Sequence, residues 1–103
     1  MPTGVPWAND VVANTEDRAV LNVINGPSEI GRPYIASRQV PVAQIEILRK
    51  AFDDTMKDRD FLEDAGKSGQ PIDPMTATEV EEALRQIYAE PASAVERAGA
   101  IAR

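Results

Sequence analysis

Pro41 opens the segment that most restricts what this chain can become. Behind it, Val42, Ile45, Leu48, Phe52 and Met56 recur every three or four positions. Proline has no N–H to donate and holds φ near the helical value, so the first turn of a helix accepts it at no cost. The spacing that follows predicts one amphipathic helix over 41–57, because a strand would need apolar residues at alternate positions. The same logic organises most of the remaining sequence. Asn14 or Thr15, followed by Glu16 and Asp17, predicts a helix over 15–25 with Val20, Leu21 and Ile24 on one face, stopped by Asn25, Gly26 and Pro27. Asp58 caps a helix over 59–67 that turns Phe61, Leu62 and Ala65 inward and ends in the Gly66–Gly69 run, forming a hairpin with the helix before it.

Thr76 and Glu79 stand at the spacing of a capping box, in which each side chain satisfies the other's backbone N–H. They predict a helix over 77–89 whose buried face is Val80, Ala83, Leu84, Ile87 and Tyr88. Pro91 starts a last, alanine-rich helix over 92–102, with a weak stripe of Val95, Ala98, Ile101 and Ala102. Two short extended runs are expected between the helices, over 32–36 (Arg32 to Ala36) and 71–73 (Pro71 to Asp73). Pro33 restricts the first to a sheet edge or a strand start. The expected class is therefore mostly α with two short strands (α/β): an irregular lead-in over 1–13, in which Trp7, Val11 and Val12 cover an apolar surface, then a single helical domain over 14–103.

Composition narrows function more than it narrows fold. At 103 residues, 43% hydrophobic and 27% charged, the chain has the size of one small globular domain. A formal charge of −6 with no basic cluster opposes binding to a phosphate backbone, so no nucleic-acid partner is expected. Cysteine and histidine are both absent. That removes thiol nucleophiles, imidazole bases and every Cys/His zinc pattern, and the expectation is a protein that is not an enzyme and holds no metal or cofactor. No apolar run reaches the length of a membrane span, and the N-terminal sequence MPTGVPWANDVV has no secretion signal, which predicts a cytoplasmic location as written.

Few motifs suggest chemistry. Gly66, Lys67 and Ser68 match the end of a phosphate-binding loop, but Phe61 stands where the motif needs glycine, and a helix precedes it in place of a strand. Carboxylate pairs at Asp53 with Asp54 and Glu81 with Glu82 lie off the apolar stripes and read as solvated faces. The pair Asp58 and Asp60 fails the calcium-loop pattern, since Leu62 occupies a ligand position. Arg32 is the one ligand-binding candidate: a guanidinium beside extended backbone can hold a carboxylate in a bidentate pair. A structural arginine packing its stem along the chain is the alternative. Of the aromatics, Phe52, Phe61 and Tyr88 fall on helix stripes and read as core, while Trp7 and Tyr34 do not.

The ordered segments GPSEIGRPYIA, VPVAQIEILRKAFDDTMKD, FLEDA and PIDPMTATEVEEALRQIYAEP, closed by the alanine-rich helix, resemble the C-terminal part of tripartite tricarboxylate transporter (Bug-type) periplasmic solute receptors. The resemblance spans about Val11 to Arg103 and implies part of the first lobe of a periplasmic-binding-protein-like fold, with two strands belonging to a larger sheet. Receptors of this kind are roughly three times as long, and they grip a small carboxylate through two glycine-containing loops that have no counterpart here.

Two functions follow as expectations. In the first, the chain is a remnant or fragment of such a receptor, periplasmic and carboxylate-binding only if the rest of the receptor is present. In the second, it is a self-standing helical interaction module that forms homo-oligomers through exposed strand edges.

Overall fold

The computed structural model describes residues 3–103, and these form six helices: α1 (Ala8–Val11), α2 (Thr15–Ile30), α3 (Val42–Thr55), α4 (Arg59–Lys67), α5 (Ala77–Tyr88) and α6 (Ala92–Ile101). Pro2 of the predicted lead-in lies outside the described residues. Among those described there is no strand, which overturns the expected α/β class and the partial receptor lobe built on it. Residues 32–36 and 71–73 are irregular. A strand is held by its ladder, and neither run has a neighbouring strand to pair with. Pro33 and Pro71, with Pro41 and Pro74 close by, also withdraw backbone donors from both regions. Interaction through strand edges falls with the strands. No helix is long and apolar enough to cross a membrane among the described residues.

Capping residues set the helix starts. The Asn14 side chain accepts from Glu16 N–H at 2.8 Å, and the Asp58 carboxylate accepts from Phe61 N–H at 2.9 Å. The capping box closes in both directions: Thr76 N–H donates to Glu79 Oε2 at 2.7 Å, and Glu79 N–H donates to Thr76 Oγ1 at 3.2 Å. The expected stop at Asn25–Pro27 does not occur. α2 runs through Pro27 and ends at Gly31, whose φ of 69° and N–H donated to the Pro27 carbonyl close the helix. One missing N–H in the last turns of a sixteen-residue helix is tolerated because the packing around Gly26 holds this stretch helical.

The chain divides into two compact units, Met1–Gly31 with Glu81–Arg103, and Arg32–Val80, with α5 contributing residues to both. In the first unit α2 packs against α6 and α1 against α2. Val20 of α2, at 4% exposure, meets Ala94 and Ala98 of α6, with Ala19 and Val23 alongside. Two alanines one turn apart leave no side-chain bulk between the helices, so the valine can sit against α6. The run of partners is antiparallel. Asp17 pairs with Arg97 at 2.7 Å, Asn22 donates to Glu90 at 2.8 Å, and Gly26 lies against Ile87.

The buried face differs from the stripes read in sequence. Leu21 is half-buried, and Ile24, Leu84, Val95 and Ile101 are exposed, as are Trp7 and Val11. Tyr88, expected in the core, is 85% exposed.

No residue of Arg32–Val80 is buried. Ile45, Phe52, Met56, Phe61 and Ala65 are half-buried, and Tyr34 meets Phe52 edge-on with ring centroids 5.9 Å apart. Val42, Leu48 and Leu62 remain exposed. The predicted α3–α4 hairpin has at most slight helix contact: substantial contact among the described residues joins α2 to α6 and α1 to α2.

Candidate functional site

Two clefts collect polar side chains, one in each unit. In Arg32–Val80, Glu46, Arg49, Lys50, Asp53 and Asp54 of α3, with Lys57 just past its end, face Thr76, Ala77 and Thr78 at the start of α5, around a groove of about 360 Å³. Its charges neutralise one another. Arg49 lies 3.6 Å from Glu46, and Lys50 forms an ion pair with Asp54 whose hydrogen bond, assisted by the carboxylate's charge, holds the lysine above its ordinary pKa. The backbone N–H of Thr76 is already occupied by Glu79. The same bond, with the Thr76 side chain, holds the Glu79 carboxyl below its ordinary range. This groove is a charge-balanced ionic surface, three acidic residues against three basic ones.

The second cleft, about 240 Å³, lies in the Met1–Gly31 and Glu81–Arg103 unit. α2 contributes Asn22, Gly26 and Glu29, which share one face at helical spacing. Opposite stand Ala83, Gln86 and Ile87 of α5 and Glu90 just beyond it, with Asn9 of α1 at the side. Gly26 shapes the wall: a Cβ there would lie 2.7 Å from Ile87 Cγ1, so only glycine lets α2 approach this closely.

The Asn9 and Asn22 carboxamides each commit one donor to a part-buried bond, and Gln86 commits one along the exposed face of α5. Asn9 Nδ2 donates to Asn22 Oδ1 at 3.4 Å, Asn22 Nδ2 to Glu90 Oε1 at 2.8 Å, and Gln86 Nε2 to Glu82 Oε1 at 3.1 Å. The lining holds two carboxylates, Glu29 and Glu90, and no basic residue.

Arg32, the ligand-binding candidate, is exposed just past Gly31 and has no hydrogen bond or ion pair among the described residues. It borders neither cleft and has no strand beside it among the described residues. Lys67 sits in the last turn of α4, bound to Glu63 at 2.8 Å, as a helix end and not as part of a phosphate loop. No group of three or more Asp or Glu among the described residues could hold a metal ion. The second cleft was not legible in sequence, since Asn9, Asn22, Glu29 and Glu90 belong to no motif and meet only through the antiparallel packing. Comparison with protein-family models, curated proteins and solved structures found no match.

Proposed function

We propose that this chain is a helical protein-interaction module that covers its exposed apolar side chains by self-association. The observation that carries this is the state of Arg32–Val80, which has no buried residue while Tyr34 and Ile35 stand 90% and 91% exposed and Val42, Ile47 and Leu48 more than half exposed. Exposed large apolar side chains in this number favour association with a partner. Covering these five on two copies, ten side chains at about 1.5–3 kcal/mol each, is worth at most on the order of 15 to 30 kcal/mol. The cost of association is roughly 4–15 kcal/mol, so a dimer is within reach. Basic and acidic residues are nearly balanced in this unit, and a second copy is not repelled.

Sedimentation equilibrium over a wide concentration range tests the proposal. Concentration-dependent association is expected, with Leu48→Glu shifting the chain to monomer; a folded monomer at every concentration would overturn it. The receptor-fragment reading rests on the order of sequence segments alone. Micromolar binding of a dicarboxylate to the isolated chain in calorimetry would sink it, since a fragment without the two gripping loops holds no complete carboxylate site.

A further inference from the structure

We infer that the second copy is engaged through the outer face of α3: two α3 helices pack antiparallel about a two-fold axis, with Leu48 of each against Ala51 of the other. This rests on the self-association reading and names the surface and geometry it uses. α3 carries two apolar faces where a surface helix ordinarily has one. Ile45 and Phe52 on the first are half-buried, as is Met56 just past the helix. On the second, Gln44, Ile47, Leu48, Ala51 and Thr55 are all exposed. Glu46, Lys50 and Asp54 point to the groove shared with the start of α5, so this outer face carries no charge along the whole helix. A second copy meets no like charge there.

The spacing suits a seam between helices. Gln44, Leu48, Ala51 and Thr55 follow one another at intervals of four, three and four residues, the alternation that keeps one edge turned to a partner helix. The face is complementary to itself in one direction. When a reversed copy brings its Ala51 opposite Leu48, the same register brings its Thr55 opposite Gln44, because both pairs share one midpoint. Large then meets small twice, which lets the axes approach to the about 8–10 Å of packed helices. A parallel pair would set Leu48 on Leu48 and leave a gap between the two copies of Ala51.

The polar ends match in the same register. The Thr55 hydroxyl donates to the Ala51 carbonyl at 2.7 Å, so only its acceptor capacity is left, while the Gln44 side chain has no hydrogen bond among the described residues and can donate an N–H. Tyr34, edge-on against Phe52 one turn past Leu48, widens the seam on that side, and Ile35 follows it. These two with the five outer residues of α3 are few beside the roughly 20–30 residues a side of a standard interface, so the dimer is weak and exchanges. A two-fold contact uses the same patch on both copies, and association stops at two.

The chain has no cysteine, so single introduced cysteines report the register directly. Full-length Gln44→Cys and Thr55→Cys chains are incubated in a glutathione redox buffer, separately and mixed. The expected result is a disulfide-linked dimer of one variant with the other in the mixture, and none in either variant alone. Like positions in the antiparallel pair stand about 16 Å apart along the axis at about 1.5 Å per residue. A disulfide does not bridge Cα atoms more than about 7 Å apart. Adding Leu48→Glu to both chains should abolish the cross-link with helicity retained in circular dichroism. Val95→Glu, at an exposed apolar position of the other unit, should leave it unchanged.

Cross-linking of either variant with itself as fast as in the mixture would mean parallel or random encounter and would overturn the inference. So would loss of the cross-link with Val95→Glu, its survival with Leu48→Glu, or wild-type association in sedimentation without the mixed cross-link. In that last case the module reading stands and the α3 seam alone fails. A chain that is monomeric in sedimentation at every concentration removes both.

Discussion

Replacing Gly26 with alanine sets two well-characterised effects against each other. In a helix interior the substitution ordinarily stabilises by about 1 kcal/mol, because glycine is the more flexible residue in the unfolded chain. Here the new methyl would lie 2.7 Å from Ile87 Cγ1 and 2.8 Å from Cδ1. Carbon atoms rest at about 3.5–4.0 Å, so the overlap is about an ångström. It involves the inner atom of the branch as well as its tip, so a rotation of the terminal methyl alone does not clear it. Overpacking of this kind costs typically about 1–3 kcal/mol. The expected net effect is a destabilisation of about 1 kcal/mol, or a fall in melting temperature of about 4–8 °C for a domain of this size.

Urea unfolding followed by far-UV circular dichroism, at matched protein concentration, measures it. The sign should reverse in an Ile87→Ala background, where the obstruction is gone and Gly26→Ala should stabilise by about 1 kcal/mol. If Gly26→Ala alone raises stability by that amount, Ile87 does not press on α2, and the account of the second cleft fails with it.

Three further outcomes follow from the same structure. Ala98→Leu inserts bulk where α6 meets Val20 and should cost about 1–3 kcal/mol in urea unfolding, whereas the same change at exposed Ala100 should cost little. Asp58→Ala removes the acceptor for Phe61 N–H and should lower stability by about 0.5–2 kcal/mol, with Asp58→Asn restoring most of it. Glu79 is held below its ordinary carboxyl range by Thr76, so its contribution is fully present above the unfolded value near about 4.3. That contribution is lost as pH falls through the lower folded value. The Thr76 amide resonance should move through this acid window in the native chain, and the transition should vanish in Glu79→Ala.

Much of the helical layout was readable from local chemistry. Asn14, Asp58 and the Thr76–Glu79 pair cap helices by bonds that reach two or three residues along the chain, and such bonds depend on little else. Gly26 with Pro27 misled for an instructive reason. The pair carries a strong local stop signal, yet at this position glycine serves a contact with a residue far along the chain, and α2 continues to Gly31. The extended runs at 32–36 and 71–73 failed differently: a strand exists only with a partner, and composition cannot supply one.

The apolar stripes gave the period of each helix but not what would cover it, so Leu48, Leu84 and Tyr88 read as core and stand exposed. The candidate site was the least legible feature, since Asn9, Asn22, Glu29 and Glu90 are unremarkable surface types until α2 lies beside α5. Sequence alone therefore determined where α2 to α6 begin, though it read α1 as irregular lead-in, together with the absence of thiol and imidazole chemistry and the acidic charge, because these depend on neighbours along the chain or on residue identity. Tertiary structure decided the course of α2, the Val20–Ala94–Ala98 core and the polar cleft, because each is a contact between residues whose separation in sequence is bridged only when the helices pack antiparallel.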